Sequence, residues 1–281
     1  MTHPFRAAPP EPDVLIVAGL DPSGGAGLIA DVRVISALGC RPVGVITALT
    51  VQNTTAVVDS EAMGAERVRE QLEFLLQDIE VRAVKIGMIG SSAVAEAVAR
   101  ALALTAAPVV WDPVVHPSRG DVRFVDSRFT DAVAALAPHV TVLTPNAGEL
   151  AFLTGAPIAT LDDAAAAGQA LAARLDLAVL VKGGHLGLRQ RSREDPEDGR
   201  EREALESVDL VCRAGGVETL RGPRTPGGEH VHGTGCALSS ALAAHLARGN
   251  ELVDACRAAK QFVAARIAAP VRPGRGAAAV V

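Results

Sequence analysis

The chain has no tyrosine, one tryptophan and six phenylalanines in 281 residues, so aromatic side chains make up 2% of it although hydrophobic residues make up 49%. Its core must be filled by Ala, Val and Leu, and Ala-rich helices pack closely. Cysteine is scarce as well. Cys40, Cys212, Cys236 and Cys256 stand far apart and include no C-x-x-C pair, which argues against a zinc ribbon or a disulfide-stapled scaffold and points to a reducing compartment. An apolar leader is missing from the Pro-rich residues 1–12, and no apolar run reaches the roughly 18 residues that span a bilayer. A cytoplasmic protein without a membrane partner is expected. Basic excess is missing too: 27 Lys and Arg stand against 32 Asp and Glu, a net charge of −5. Nucleic acid gains no bulk attraction from such a surface, and a small molecule is the expected partner.

What the chain does have is alternation. Residues 13–19, 42–48, 83–87, 108–112, 140–144 and 177–182 are short apolar, β-branched runs that predict buried strands. Helix-compatible segments lie between most of them, at 26–38, 65–76, 92–104, 128–136 and 161–175. The pattern predicts an α/β fold, a central, mostly parallel sheet flanked by helices on both faces, with ligands at the carboxyl ends of the strands. Residues 1–12 read as a flexible tail and 13–281 as a single domain. Residues 187–206 carry twelve charged side chains of both signs and read as an exposed charged loop, followed by a hairpin over 208–211 and 217–220.

The chemistry-bearing residues follow the strands. His232-Gly233-Thr234-Gly235-Cys236 runs into the Ala/Leu-rich segment 237–247 and places two glycines and a cysteine at a helix start. The first amides of a helix lack intrahelical acceptors and carry partial positive charge, so such a loop suits an anion. The same field is expected to lower the Cys236 thiol pKa. A Gly-rich turn before a core helix with an inert cysteine fits the same letters. Residues 19–27 are Gly-rich too, but they match neither a P-loop, which needs Lys and Ser/Thr after its second glycine, nor a well-placed dinucleotide fingerprint. Asn146 and Glu149 are spaced to hold Mg²⁺ through water, or simply to cap the next helix. Lys182, followed by two glycines, suits nucleotide phosphates. The pair His230 and His232 completes no zinc spacing, and no G-x-S-x-G elbow of a hydrolase occurs.

Taken together, Val17 to Gly27, Ile46-Thr-Ala-Leu-Thr-Val-Gln-Asn-Thr54, Lys85-Ile-Gly-Met88, Trp111-Asp-Pro-Val114, Thr144-Pro-Asn146, Val181-Lys-Gly-Gly-His185 and His232 to Cys236 resemble the hydroxymethylpyrimidine/phosphomethylpyrimidine kinases of thiamine biosynthesis, in order and over nearly the whole chain. The resemblance implies a ribokinase-like three-layer fold, phosphorylation with ATP and Mg²⁺ as cofactors, and a homodimer. On its matching positions, Gly19, Asp31 and Gln52 would contact the aminopyrimidine, with Met88 and Val115 beside it. Asn146, Glu149, Lys182 and Thr234 would serve the nucleotide and Mg²⁺, Glu149 through water, while Gly233, Gly235 and Cys236 would form the catalytic loop with Cys236 as base or as part of an anion hole. Val231 and Ala237 depart from the hydroxyl residues common at those positions, and Val115 stands where Met is common. Pyridoxal kinases are the nearest alternative, and a sensor that kept the pocket but not catalysis is a more distant one; Gln52 in its Ala48-Leu-Thr-Val-Gln-Asn setting favours the pyrimidine.

Overall fold

Apolar runs with no polar residue to turn toward water are stable only as strands covered on both faces, and that is what the short runs become. The structure, a computed structural model, describes residues 11–116, 124–184 and 206–281. Along the chain lie β1 (Asp13–Leu20), α1 (Gly27–Ala37), β2 (Arg41–Gln52), β3 (Val57–Ala62), α2 (Ala65–Asp78), β4 (Ala83–Ile86), α3 (Ser92–Leu102), β5 (Val109–Trp111), α4 (Phe129–Leu136), β6 (Val142–Leu143), α5 (Ala147–Thr154), α6 (Leu161–Leu175), β7 (Ala178–Val181), β8 (Glu206–Arg213), β9 (Gly216–Pro223), α7 (Thr234–Ala247) and α8 (Leu252–Ala268).

The strands form one sheet in the order β3-β2-β1-β4-β5-β6-β7-β8-β9. Pairing is parallel from β2 through β7, and antiparallel where β3 joins β2, β8 joins β7 and β9 joins β8. Strand β1 shows why three layers result. Leu15 and Val17 face one core with side chains of α2 to α6, among them Leu72, Val98, Leu136, Leu150 and Leu171. Val14, Ile16 and Ala18 face the other, filled by Val34 and Ile35 of α1, the alanines of α7 and Ala255, Ala259 and Val263 of α8. The scarcity of aromatics is met as the composition requires: α7 buries five alanines, Ala237, Ala241, Ala243, Ala244 and Ala247, so it lies close to the sheet.

Two elements were not anticipated. Strand β3 buries only Val57 and leaves the rest of its residues partly or fully exposed, and β2 runs on to Gln52 to pair with it. Helix α8 carries Lys260 on its buried face. The helix start expected at the Gly233–Cys236 stretch is found there, with Gly233 as N-cap and Thr234 as the first helical residue. The tail over 1–10 and the charged loop over 187–205 lie outside the described residues, while Glu206 opens β8. Strand β1 sits between β2, which follows it in sequence, and β4. The order in which successive strands are added therefore reverses there, and a crevice opens beyond the carboxyl ends of the strands.

Candidate active site

That crevice is a cavity of about 960 Å³. The loops after β1, β4, β5, β6 and β7 contribute to it, as do the end of β2 and the start of α7. Gly233 is the N-cap of α7 with φ +81°, and a Cβ there would strike the carbonyl oxygen of Gly25. Only glycine fits that left-handed, crowded position. The Ala237 N–H is the one that reaches the Gly233 carbonyl, at 2.9 Å, which leaves the amides of residues 234–236 without helical acceptors. Lys182, leaving β7, comes to this loop: a Cβ on Gly235 would lie 3.3 Å from its Nζ. The Lys182 ammonium donates to Asp112 Oδ1 at 2.6 Å and stands 3.6 Å from Glu149 Oε2. Burial works against the Lys182 charge, but Asp112 and Glu149 outweigh it and hold the pKa above its usual value. Burial raises the Glu149 pKa, Lys182 pulls it down and Asp112 adds to the rise.

Asn146 and Glu149 are joined as a capping box at the start of α5. Asn146 Oδ1 accepts from the Glu149 amide at 2.9 Å, and Glu149 Oε2 accepts from the Asn146 amide at 2.7 Å. Both residues nonetheless line the cavity. The two readings of this spacing are therefore compatible: one carboxylate oxygen caps the helix while the group faces the anion loop.

At the other end, β1 and β2 supply a more apolar corner. Gly19 passes so near Met88 that a Cβ would lie 2.9 Å from its sulfur. Val115 and Phe124 close this side, and Thr50 and Gln52 point in from β2. Gln52 Nε2 lies 3.4 Å from His232 Nε2, which is also 3.4 Å from Asp21 Oδ2. The His232 backbone is clamped, its N–H donating to the Ala278 carbonyl at 2.7 Å and its carbonyl accepting from Val280 at 3.2 Å. The same segment bonds Thr54 in the β2–β3 turn through the Ala277 amide, at 2.9 Å.

Between the two ends lies Cys236, partly buried in the cavity wall. Burial pushes its thiol up to about 11, against the pull of Lys85 and of the Gly27 amide. The expected lowering of this pKa is corrected: the helix start does not overcome the loss of water. Asp31 is also displaced from its expected role. It is 0% exposed and absent from the cavity lining. It accepts from Lys85 Nζ at 2.6 Å and from Ser240 Oγ at 2.7 Å. Lys85 stands between it and the cavity, keeping its charge although burial opposes this, because the Asp31 and Asp112 carboxylates are beside it.

Residues 21–281 match the family model of phosphomethylpyrimidine kinase. The chain belongs to the phosphomethylpyrimidine kinase family. It is 39% identical over 276 residues to the hydroxymethylpyrimidine/phosphomethylpyrimidine kinase of Streptomyces coelicolor, covering 98% of this chain and 96% of that one. Among solved structures it is similar to the phosphomethylpyrimidine kinase of Clostridium difficile, at 30% identity and TM-score 0.71 over 92% of this chain and all of the other. It is also similar to an ADP complex of Bacillus subtilis pyridoxal kinase, at 26% identity and TM-score 0.78 over 96% of each. The chain is thus a kinase with a ribokinase-like fold.

In this phosphomethylpyrimidine kinase family member, the structure gathers Gly19, Gln52, Met88, Val115, Asn146, Glu149, Lys182, Gly233, Thr234, Gly235 and Cys236 around one cavity. Lys85 was passed over as a site residue, and Asp112 was noted only for following a strand, without a role. Each had a signal: Asp112 closes a buried strand run, and Lys85 is a lone charge inside one. Also passed over were Asp209 and Lys260, both cavity-lining, whose carboxylate and ammonium meet at 2.8 Å. Asp209 also accepts from the Gly183 amide at 2.9 Å, which fixes the turn that carries Lys182. Among the described residues, no cluster of three or more His, Cys, Asp or Glu is placed to hold a metal directly, and no helix is long and apolar enough to cross a membrane.

Proposed function

We propose that this kinase transfers the γ-phosphoryl group of ATP to the hydroxymethyl oxygen of 4-amino-5-hydroxymethyl-2-methylpyrimidine, and then a second one to the resulting monophosphate, for thiamine biosynthesis. The observation that carries this reading is one cavity that joins an amide-lined anion loop with Lys182 to a corner holding Gln52 and Met88. An aminopyrimidine presents an exocyclic amine and ring nitrogens, which a primary amide pairs as acceptor and donor while a thioether packs on the ring. The amides of residues 234–236 and Lys182 would take the charge on the transferring phosphoryl oxygens. In each turnover a P–O bond forms to the substrate oxygen as the bond to ADP breaks.

The oxygen donors Asp112 and Glu149, drawn together on Lys182, fit hydrated Mg²⁺, which would neutralise phosphate charge when bound. Cys236, with its thiol raised to about 11, holds its proton at neutral pH and shapes the wall of the anion hole. The substrate proton would pass late to an oxygen of the transferred phosphoryl group and from there to solvent, as a loose phosphoryl-transfer transition state allows. We place the enzyme in the cytoplasm as a homodimer. Pyridoxal is the second reading, supported by the likeness to the pyridoxal kinase. Steady-state kinetics on the hydroxymethylpyrimidine, its monophosphate and pyridoxal, measured side by side, test the choice. The two pyrimidines are expected to give the higher kcat/KM, and a higher value for pyridoxal reverses the assignment.

A further inference from the structure

His232 links the anion loop to the pyrimidine corner, and one of its ring nitrogens has two neighbours with opposite demands. Nε2 lies 3.4 Å from the Asp21 carboxylate and 3.4 Å from the Gln52 amide nitrogen. A ring nitrogen is a donor or an acceptor, never both at once. Facing the Gln52 NH₂ requires Nε2 bare, whereas facing the carboxylate requires it protonated.

The surroundings decide between them. Asp21 is tied in three further bonds, from the Ser23 amide at 2.8 Å, the Ser23 hydroxyl at 2.7 Å and the Ala26 amide at 3.0 Å. Burial works against its charge, but the bonds from His232 and Ser23 hold its pKa below the usual value. An ionised Asp21 calls for the proton on His232 Nε2. With the proton there, Gln52 must turn its carbonyl toward the ring. Its NH₂ then meets Thr50 Oγ1, 3.2 Å from the far end of the amide. That hydroxyl is free to accept, because its single proton goes to the Leu20 carbonyl at 2.9 Å. All four groups are satisfied in this sense and not in the reverse one. The ring itself is held by its clamped backbone and by Gly25, where a Cβ would lie 2.7 Å from His232 Cδ2.

We infer that His232 is a specificity-determining residue: together with Asp21 and Thr50 it locks the Gln52 side-chain amide in one orientation, and so fixes the order in which that amide offers a donor and an acceptor to the substrate ring. A glutamine free to turn over would accept either of two ligands, the 4-aminopyrimidine or its 4-oxo counterpart, whose amine and ring nitrogen are replaced by a carbonyl and a ring N–H. A locked one accepts only the first.

The inference rests on the pyrimidine reading above. Its test is the Kd of both pyrimidines, by calorimetry, for the wild type, His232→Leu and His232→Gln. The wild type is expected to prefer the amine by about 100-fold or more, since the wrong ligand leaves buried donors and acceptors unpaired. In His232→Leu the preference should shrink to about tenfold or less while the Kd for ATP stays within about twofold, because the amide turns to suit either ring. His232→Gln can place an NH₂ beside Asp21 and should keep most of the preference. If His232→Leu does not fold, Asp21→Asn, which no longer demands the proton on Nε2, should shrink the ratio likewise. An unaltered ratio in these variants overturns the lock alone, as does a wild type that binds both pyrimidines equally. A wild type that binds pyridoxal but neither pyrimidine overturns the substrate reading and the lock with it.

Discussion

Cys236 is where a single residue's environment redirects the chemistry. The same thiol that sits at a helix start also sits among protein atoms beside the charged groups Lys85, Asp31 and Asp112. Burial raises the thiol to about 11, which favours the protonated form at neutral pH and speaks against a resting thiolate base. The two proposed transfers separate the remaining roles. The alcohol must lose a proton as it attacks, but the monophosphate attacks through an oxygen already anionic near neutral pH, its second pKa lying near 6. If Cys236 shapes the anion hole, Cys236→Ala should slow both transfers by similar factors of less than about tenfold. A fall of about 10²-fold or more confined to the alcohol would make it a base after all. Rapid-quench rates on the two substrates decide it.

At the scale of elements, the start of α5 shows one residue serving structure and site together. Glu149→Gln keeps an oxygen to accept from the Asn146 amide, whereas Glu149→Ala loses the capping bond. In urea denaturation the first should cost less than about 0.5 kcal/mol and the second about 1 kcal/mol. Both should lower kcat and raise the Mg²⁺ concentration needed for half-maximal rate, because the carboxylate charge is lost in each. Normal Mg²⁺ dependence in Glu149→Gln would reduce the residue to a helix cap.

Elements differ in how legible they were for related reasons. The runs of β1 and β4 could be read because nothing polar interrupts them except Lys85. The face exchange along β1, Leu15 and Val17 against Val14 and Ile16, follows from strand periodicity alone. Strand β3 hid because an edge ribbon with one buried residue has no apolar pattern to show. In the site, Gly233 was legible because a helix start and a left-handed turn are local demands. The meeting of Lys182 with Asp112, seventy positions apart, is tertiary and leaves no mark on spacing. Asp31 was misplaced for the same reason: it sits on α1 while its partner Lys85 lies on β4, and that pairing turns it away from the cavity.

For the molecule as a whole, the β2–β3 ribbon has two faces with different fates. Thr50 and Gln52 turn into the cavity, while Leu49 and Val51 alternate outward, at 43% and 59% exposure. The proposed homodimer would cover this face, where a second copy removes apolar surface from water. Leu49→Asp combined with Val51→Asp should therefore yield monomers by light scattering, and an unchanged mass would place the contact elsewhere. The lone tryptophan offers something different. Trp111 is 1% exposed, packs 6.2 Å from the Phe129 ring and precedes Asp112, the partner of Lys182. With no tyrosine in the chain to emit beside it, the intrinsic fluorescence of this protein originates at the centre of its sheet, one residue from the phosphate end of the cavity. A titration with nucleotide is thus reported by a built-in optical probe at that end, with no label to attach.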